Sequence, residues 1–314
     1  MVGGSKIGKG RVLTPEDLAF LQSDGVTELV VARLDPGDLA EDVAATALGA
    51  AIVPDEKAAC LVLTAAHTGR VNFKAICPGI VMLDPAAVIA LNSVDPSITL
   101  ATLPAFTRVA AGTLVGTVKI ISYAVAGRSL DAAMAVGRCS VSIAPVRLRS
   151  AGLLMTEVPG QPAKLNLKGQ AAIAKRLRAL GMELADVQTV PHEVGTVAAA
   201  LARLAGEMVL ILTGSATSDL HDTAPEAVRA AGGRVARFGM PVDPGNLLFH
   251  GTLGPRPVIG LPGCARSPAL NGADWMLERL ACGLEVTSAD IAAMGVGGLL
   301  KEIAVRGQLR EVGE

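Results

Sequence analysis

The sequence predicts a two-part α/β protein: a mixed α+β half, then a C-terminal three-layer domain built on a largely parallel sheet. Three observations carry this. Residues 208–212, Met208-Val209-Leu210-Ile211-Leu212, are an unbroken apolar run, the pattern of a strand covered on both faces. From Leu148 onward, strand-like and helix-like stretches alternate, as βαβ units require. From Cys60 to Val118, short strand signals follow one another with turn residues between them. Domains are expected at residues 1–144 and 145–283, followed by a tail at 284–314.

Taken in order, Thr14-Pro15-Glu16-Asp17 predicts a helix start, with a cap, a proline in the first turn and acids at the positive end. Thr27 to Leu34 reads as a strand, closed by Asp35-Pro36-Gly37, and Leu39 to Ala51 as an Ala-rich helix. Strands are expected in CLVLTA, RVNFKAI, IVML, SITLATL and TLVGTVKIIS, with a small helix after Asp84-Pro85. In the second half, strands are expected at 148–158, 184–190, 208–212, 234–238 and 256–261. Helices are expected at 165–180, 193–204, from Thr223 to Gly232, and from Ser267-Pro268, with Leu270, Ala273, Leu277, Leu280 and Ala281 on one face. Leu299 to Ile303 is a segment able to dock. The series Lys164, Lys168, Lys175, Arg176 and Arg178 reads as a solvated helix face, or as the lining of an anion entrance.

Composition narrows the function. Hydrophobic residues make up 51% of the chain but aromatics only 2%, which argues against base-stacking platforms and so against nucleic acid. The net charge of −1 supplies no steering field, and no apolar run approaches a membrane span. The first residues lack a signal-peptide apolar region, and the five cysteines form no Cys-x-x-Cys pair. A reducing cytoplasm is the expected compartment.

Three turns are candidates to converge. The first follows the apolar run: Thr213, Gly214, Ser215, Ala216, Thr217, Ser218 and Asp219, leading to Asp222 before a helix. Hydroxyls, loop amides and a helix N-terminus at a strand's carboxyl end suit an anion such as phosphate. Asp222 is a helix cap or a metal ligand. The second turn is Val242-Asp243-Pro244-Gly245-Asn246, and the third is Leu261-Pro262-Gly263-Cys264-Ala265-Arg266-Ser267, where Arg266 adds a cation. His67, His192, His221 and His250 lack ligand spacing and read as surface or hydrogen-bonded residues. Cys264 reads as a small filler or as a thiol with a lowered pKa.

Together these turns resemble the molybdopterin-binding domain of molybdopterin adenylyltransferases and molybdopterin molybdotransferases. The matches are Thr213-Gly214, Thr217, Asp222 and Pro225-Glu226-Ala227, then Pro244-Gly245, then Leu261-Pro262-Gly263, over roughly residues 146–283. A weaker resemblance to a molybdotransferase segment covers Lys9 to Asp17 and Gly25-Val26. The arrangement is similar to the bacterial molybdopterin-binding module that can precede a nucleotidyltransferase domain. The sequence departs from the pattern at Ser215, Asp219, Asn246, Cys264-Ala265 and Thr156-Glu157, where the family has a glycine, a glycine, a lysine, Asn-Pro and a longer Thr-Gly-Asp-Glu run.

The resemblance implies a phosphorylated pterin, molybdopterin or its nucleotide form, as ligand in molybdenum cofactor biosynthesis, with Mg²⁺ as a further component. Thr213, Gly214, Ser215, Thr217, Ser218, Pro244, Gly245, Asn246, Pro262, Gly263, Cys264, Arg266 and Ser267 would hold the ligand. Asp222 would hold the metal and act in catalysis, with Asp219 as a second carboxylate. One alternative is a non-catalytic carrier that presents the cofactor to a nucleotidyltransferase or a molybdoenzyme, which the lost glycines and lysine favour. Another is a competence-damage-type nucleotide-processing enzyme. Related domains commonly assemble, so a homo-oligomer is among the expectations.

Overall fold

The computed structural model describes residues 12–162 and 164–300. Residues 9–11 of the N-terminal resemblance and residues 301–314 of the expected tail lie outside the described residues. Two compact units make up the chain: residues 1–77 with 81–144, and residues 78–80 with 145–314.

In the N-terminal unit, the helix Pro15–Ser23 opens on a reciprocal cap. The Thr14 hydroxyl accepts from Asp17 N, and the Asp17 carboxylate accepts from Thr14 N. After the helix Glu41–Ile52, strands Leu61–Leu63, Arg70–Ala75, Leu114–Ile120 and Ile98–Thr102 form an antiparallel sheet in that spatial order. Leu48, Ile52, Phe73, Val118 and Ile120 are fully buried in its core.

Two readings of this half change. The expected strand at 27–34 is absent: residues 26–34 carry no regular structure and Val30 is 94% exposed. β-Branched residues favour a strand only where a neighbouring strand accepts their ladder, and no described strand pairs with this segment. A helix, Gly127–Gly137, and a strand, Val141–Pro145, occupy a stretch where no element was expected.

The C-terminal unit runs β1 (Ser150–Glu157), α1 (Lys164–Ala179), β2 (Glu183–Pro191), α2 (Val194–Arg203), β3 (Met208–Leu212), α3 (Thr223–Ala230), β4 (Arg234–Phe238), β5 (Phe249–Leu253), β6 (Arg256–Leu261), α4 (Gly272–Ala281) and α5 (Ser288–Ala293). The sheet order is β2-β1-β3-β6-β5-β4. The first four strands are parallel, while β5 is antiparallel to both β6 and β4. Side chains alternate across this sheet between two cores. Leu153, Met155, Leu210 and Leu212 face α1 and α4, with Ile173, Leu177, Met276 and Leu277. Leu154, Val209 and Ile211 face α2 and α3, with Val197, Leu201, Ala227 and Val228. Burial on both faces is why Met208–Leu212 reads as a continuous apolar run.

The end of the unit departs from the sequence reading. After β6, residues Gly263–Arg266 form a single 3₁₀ turn, and α4 begins only at Gly272, not at Ser267. Leu270 therefore lies outside the helix and is half exposed. The cause is Arg176, which was expected on a solvated face and is 7% exposed. Its guanidinium donates to Asp274 Oδ1 at 2.7 Å, Ala265 O at 2.8 Å, Ser267 O at 2.7 Å and Ala269 O at 3.0 Å. Carbonyls of residues 265, 267 and 269 that accept from Arg176 go with a non-helical stretch between the 3₁₀ turn and Gly272. Asp274 closes a capping box with Asn271, which starts α4. Beyond α4, residues 284–300 contain α5, whose Ile291 joins the core, and Leu300 packs against that core with its N–H on Asp243 O.

Arg176→Ala would leave the Asp274 carboxylate and three carbonyls without their donor. The expected loss of stability is about 3–5 kcal/mol, with Arg176→Lys intermediate, measured by urea unfolding. A loss under about 1 kcal/mol for the alanine variant would show that the ion pair does not hold this end of the domain.

Candidate functional site

The strand order puts a topological switch point between β1 and β3: the chain leaves β1 for β2 on one side, then returns to β3 on the other. Ligands of open α/β sheets bind outside the carboxyl ends of the strands at such a point. The first candidate turn leaves β3 there. Its entry is fixed by Thr156, the fully buried penultimate residue of β1, whose hydroxyl oxygen accepts from Gly214 N at 2.8 Å. The same hydroxyl lies 2.8 Å from His192 Nδ1, just past the end of β2. The threonine oxygen has two lone pairs, so which of the hydroxyl and Nδ1 donates in this contact depends on the imidazole tautomer. Gly214 has no room for a side chain: a Cβ would stand 2.3 Å from Gln161 Oε1 and 2.9 Å from Thr156 O.

The far end of the loop is fixed by Asp222. One carboxylate oxygen accepts from Ser218 N at 2.9 Å and the other from Thr223 N at 2.7 Å. Asp222 rather than Thr223 is thus the N-cap of α3. Asp219 is exposed and accepts from His221 N, while His221 Nδ1 lies 3.0 Å from Glu226. Ser215 and Ser218 are exposed; Thr217 is buried.

The third turn meets the first through Arg266, whose Nη2 donates to Thr213 O at 2.7 Å. Gly169 of α1 lets them close, because a Cβ there would fall 2.6 Å from Leu212 Cδ2 and 3.4 Å from Arg266 Cγ. Arg266 is half buried, no described carboxylate pairs with it, and its Nε is buried with no hydrogen-bond partner. Burial alone pulls this guanidinium below the ordinary arginine range. Gln161 Oε1 is likewise buried and unpartnered, while Gln161 Nε2 donates to Asn166 Oδ1. A half-buried cation and an unused acceptor thus stand against Thr213-Gly214. Pro262 is buried, Gly263 exposed, Cys264 half-buried and outside any disulfide, and Ser267 is tied to Arg176 through its carbonyl.

The second turn joins this edge indirectly. Gly245, at φ +137°, lies so close to Gly272 that a Cβ would stand 2.5 Å from Gly272 N, and Gly272 N donates to Pro244 O. Pro244 and Gly245 therefore pack on the start of α4, downstream of Ser267, and no described hydrogen bond links them to residues 213–222. The exposed Asn246 accepts from Met240 N through its carbonyl.

Two clefts lie away from this edge. One of about 560 Å³ is in the N-terminal unit, between Arg33, Glu41, Lys119 and Tyr123. The other, about 640 Å³, is at the opposite end of the sheet, at Arg149, Arg178 and Glu183. Volume does not select the switch point; the convergence of loop amides, a buried cation and strand ends does. Sequence reasoning missed Gln161 and Asn166, and took His192 for a bland residue. Only Thr156 carried a signal, as the remnant of a longer family run.

Thr156→Val keeps the shape but leaves Gly214 N and His192 without a partner. A loss of about 1–3 kcal/mol is expected in thermal or urea unfolding, with Thr156→Ser close to wild type. Equal stability of the valine and serine variants would show that the hydroxyl does not anchor the loop.

Residues 159–281 match the family described as "Probable molybdopterin binding domain". No curated protein matches the chain. Among solved structures, the chain is similar to the molybdopterin biosynthesis moea protein from Pyrococcus horikosii, at 16% identity over 67% of this chain and 68% of that one. The TM-score is 0.34, too low for that likeness to carry an argument.

Proposed function

We propose, because residues 159–281 fall in the molybdopterin-binding domain family, that this protein binds molybdopterin or its nucleotide form at the switch-point edge, in molybdenum cofactor biosynthesis. The observation that carries the reading is Arg266: a half-buried guanidinium with an unpartnered Nε, set against the Thr213-Gly214 corner. A phosphate there would offset its desolvation and accept its free N–H, while amides of residues 215–217 supply further donors, those of Gly214 and Ser218 being engaged by Thr156 and Asp222. Gly214 keeps backbone rather than side chain against the ligand. Asn246, where the family has a lysine, offers an amide in place of a second cation.

The test is calorimetric titration with molybdopterin, its adenylylated form and ATP, each with and without Mg²⁺. Arg266→Gln is expected to weaken the pterin phosphate ligand about tenfold or more, the worth of one charge-assisted hydrogen bond. Unchanged affinity in that variant would remove the binding assignment.

Within this reading we favour a carrier, which presents the cofactor to a nucleotidyltransferase or a molybdoenzyme, over a Mg²⁺-dependent adenylyl- or molybdotransferase. When bound, Mg²⁺ would neutralise phosphate charge and act as a Lewis acid. The donor set does not fit a resident ion: both Asp222 oxygens already accept amide hydrogens, Asp219 serves its own turn, and no group of three or more metal-ligating side chains gathers among the described residues. Asp222→Asn retains one capping oxygen but replaces the other with a donor facing Ser218 N. Loss of the bond to Ser218 is expected to cost about 1 kcal/mol of stability and to leave ligand affinity within a few-fold, with or without Mg²⁺. AMP transfer or release by the wild type, abolished in Asp222→Asn, would instead establish the transferase.

A further inference from the structure

Five cysteines scattered through the sequence carry no disulfide or metal signature, yet the fold brings two of them together. Cys60 precedes the strand Leu61–Leu63, and Cys77 follows the strand Arg70–Ala75. These strands are antiparallel with Leu61 opposite Ala75, and Ile76 N donates to Cys60 O at 3.1 Å, which extends the ladder by one rung. Cys60 thus stands beside Ile76, with Cys77 next in line. Its backbone is left-handed, φ 53°, so its side chain leaves the strand alternation that would otherwise separate the two thiols onto opposite faces. Both are half-buried against one core, and neither is in a disulfide. Cys139, Cys264 and Cys282 stand on other elements.

We propose that Cys60 and Cys77 are a reversible dithiol–disulfide site, closed by exchange with a small disulfide such as oxidised glutathione, and that the bond staples the open end of the 61–75 hairpin. The first step is attack of the Cys60 thiolate on the small disulfide, which forms a mixed disulfide and expels one small thiolate. Cys77 then gives up its proton and attacks Cys60 sulfur, which forms the intrachain bond and expels the second thiolate. The two protons end on two small thiols, so two protein thiols and one small disulfide become one protein disulfide and two small thiols. Burial, reinforced by the neighbouring Cys60 thiol, holds the Cys77 thiol up at about 11. At neutral pH the second step is therefore slow, and the pair stays reduced through brief oxidant exposure. This site is independent of the molybdopterin reading.

The test treats the full chain with oxidised glutathione at pH 7, 8 and 9, quenches in acid, counts thiols under denaturing conditions, and maps non-reduced peptides. Cys60 should become linked to Cys77, with loss of both thiols, at a rate rising about tenfold per pH unit as the Cys77 thiolate fraction rises. Cys139→Ser, which removes the exposed thiol that takes up glutathione without a resolving partner, should fall from four thiols to two. Cys60→Ser and Cys77→Ser should yield no intrachain bond. Four thiols surviving at pH 9 in Cys139→Ser, a link of Cys60 or Cys77 to any other cysteine, or a glutathione adduct on Cys60 that never resolves would each overturn the proposal.

Discussion

The C-terminal unit depends on one buried charge. Arg176 gives up water to make one ion pair and three carbonyl contacts, and those four acceptors define where α4 starts, how residues 265–269 run, and where Arg266 is presented. Replacing such a pair by apolar residues often costs no stability, so its value is specification rather than net energy. Only a guanidinium reaches a carboxylate and three carbonyls at once; a lysine has the charge but not the fork. Of the carbonyls it satisfies, that of the buried Ala265 would otherwise be a buried polar group without a partner, whereas Ala269 O also accepts from Asn271 Nδ2.

A second buried polar group, Thr156, performs the corresponding task for the first loop. Its hydroxyl joins the ends of three neighbouring parallel strands: it belongs to β1, accepts from the residue after β3 and reaches the residue after β2. The candidate site is therefore an edge built from backbone, anchored by two buried side chains, Arg176 and Thr156. Two buried unpartnered atoms of this edge, Arg266 Nε and Gln161 Oε1, lie against the Thr213-Gly214 corner, where a Cβ on Gly214 has no room.

The N-terminal unit illustrates the limit of propensity. TELVVARL has the composition of a strand, and its neighbour CLVLTA became one. The difference is that the second has Arg70–Ala75 alongside and the first has no described partner. Strand character is completed between segments, so an isolated window cannot decide it.

Much of the fold was legible because burial is periodic. The run at 208–212 declared a strand covered on both faces, and the alternation after residue 148 declared parallel units with helices between them. The order of the three turns was equally readable, since glycine and proline mark turns wherever they stand. Which turns meet was not. Arg176 looked like one more cation on a solvated face, because helical spacing says nothing about a carboxylate 98 residues away. Thr156 and Gly214 are 58 residues apart, and Cys60 meets Cys77 only because Cys60 takes a left-handed backbone at the mouth of a hairpin. Local periodicity records which face of each element leaves water, and the sequence alone determines that. The choice of partners for buried polar groups depends on strand order and on backbone placed far along the chain, and only the tertiary structure decided it.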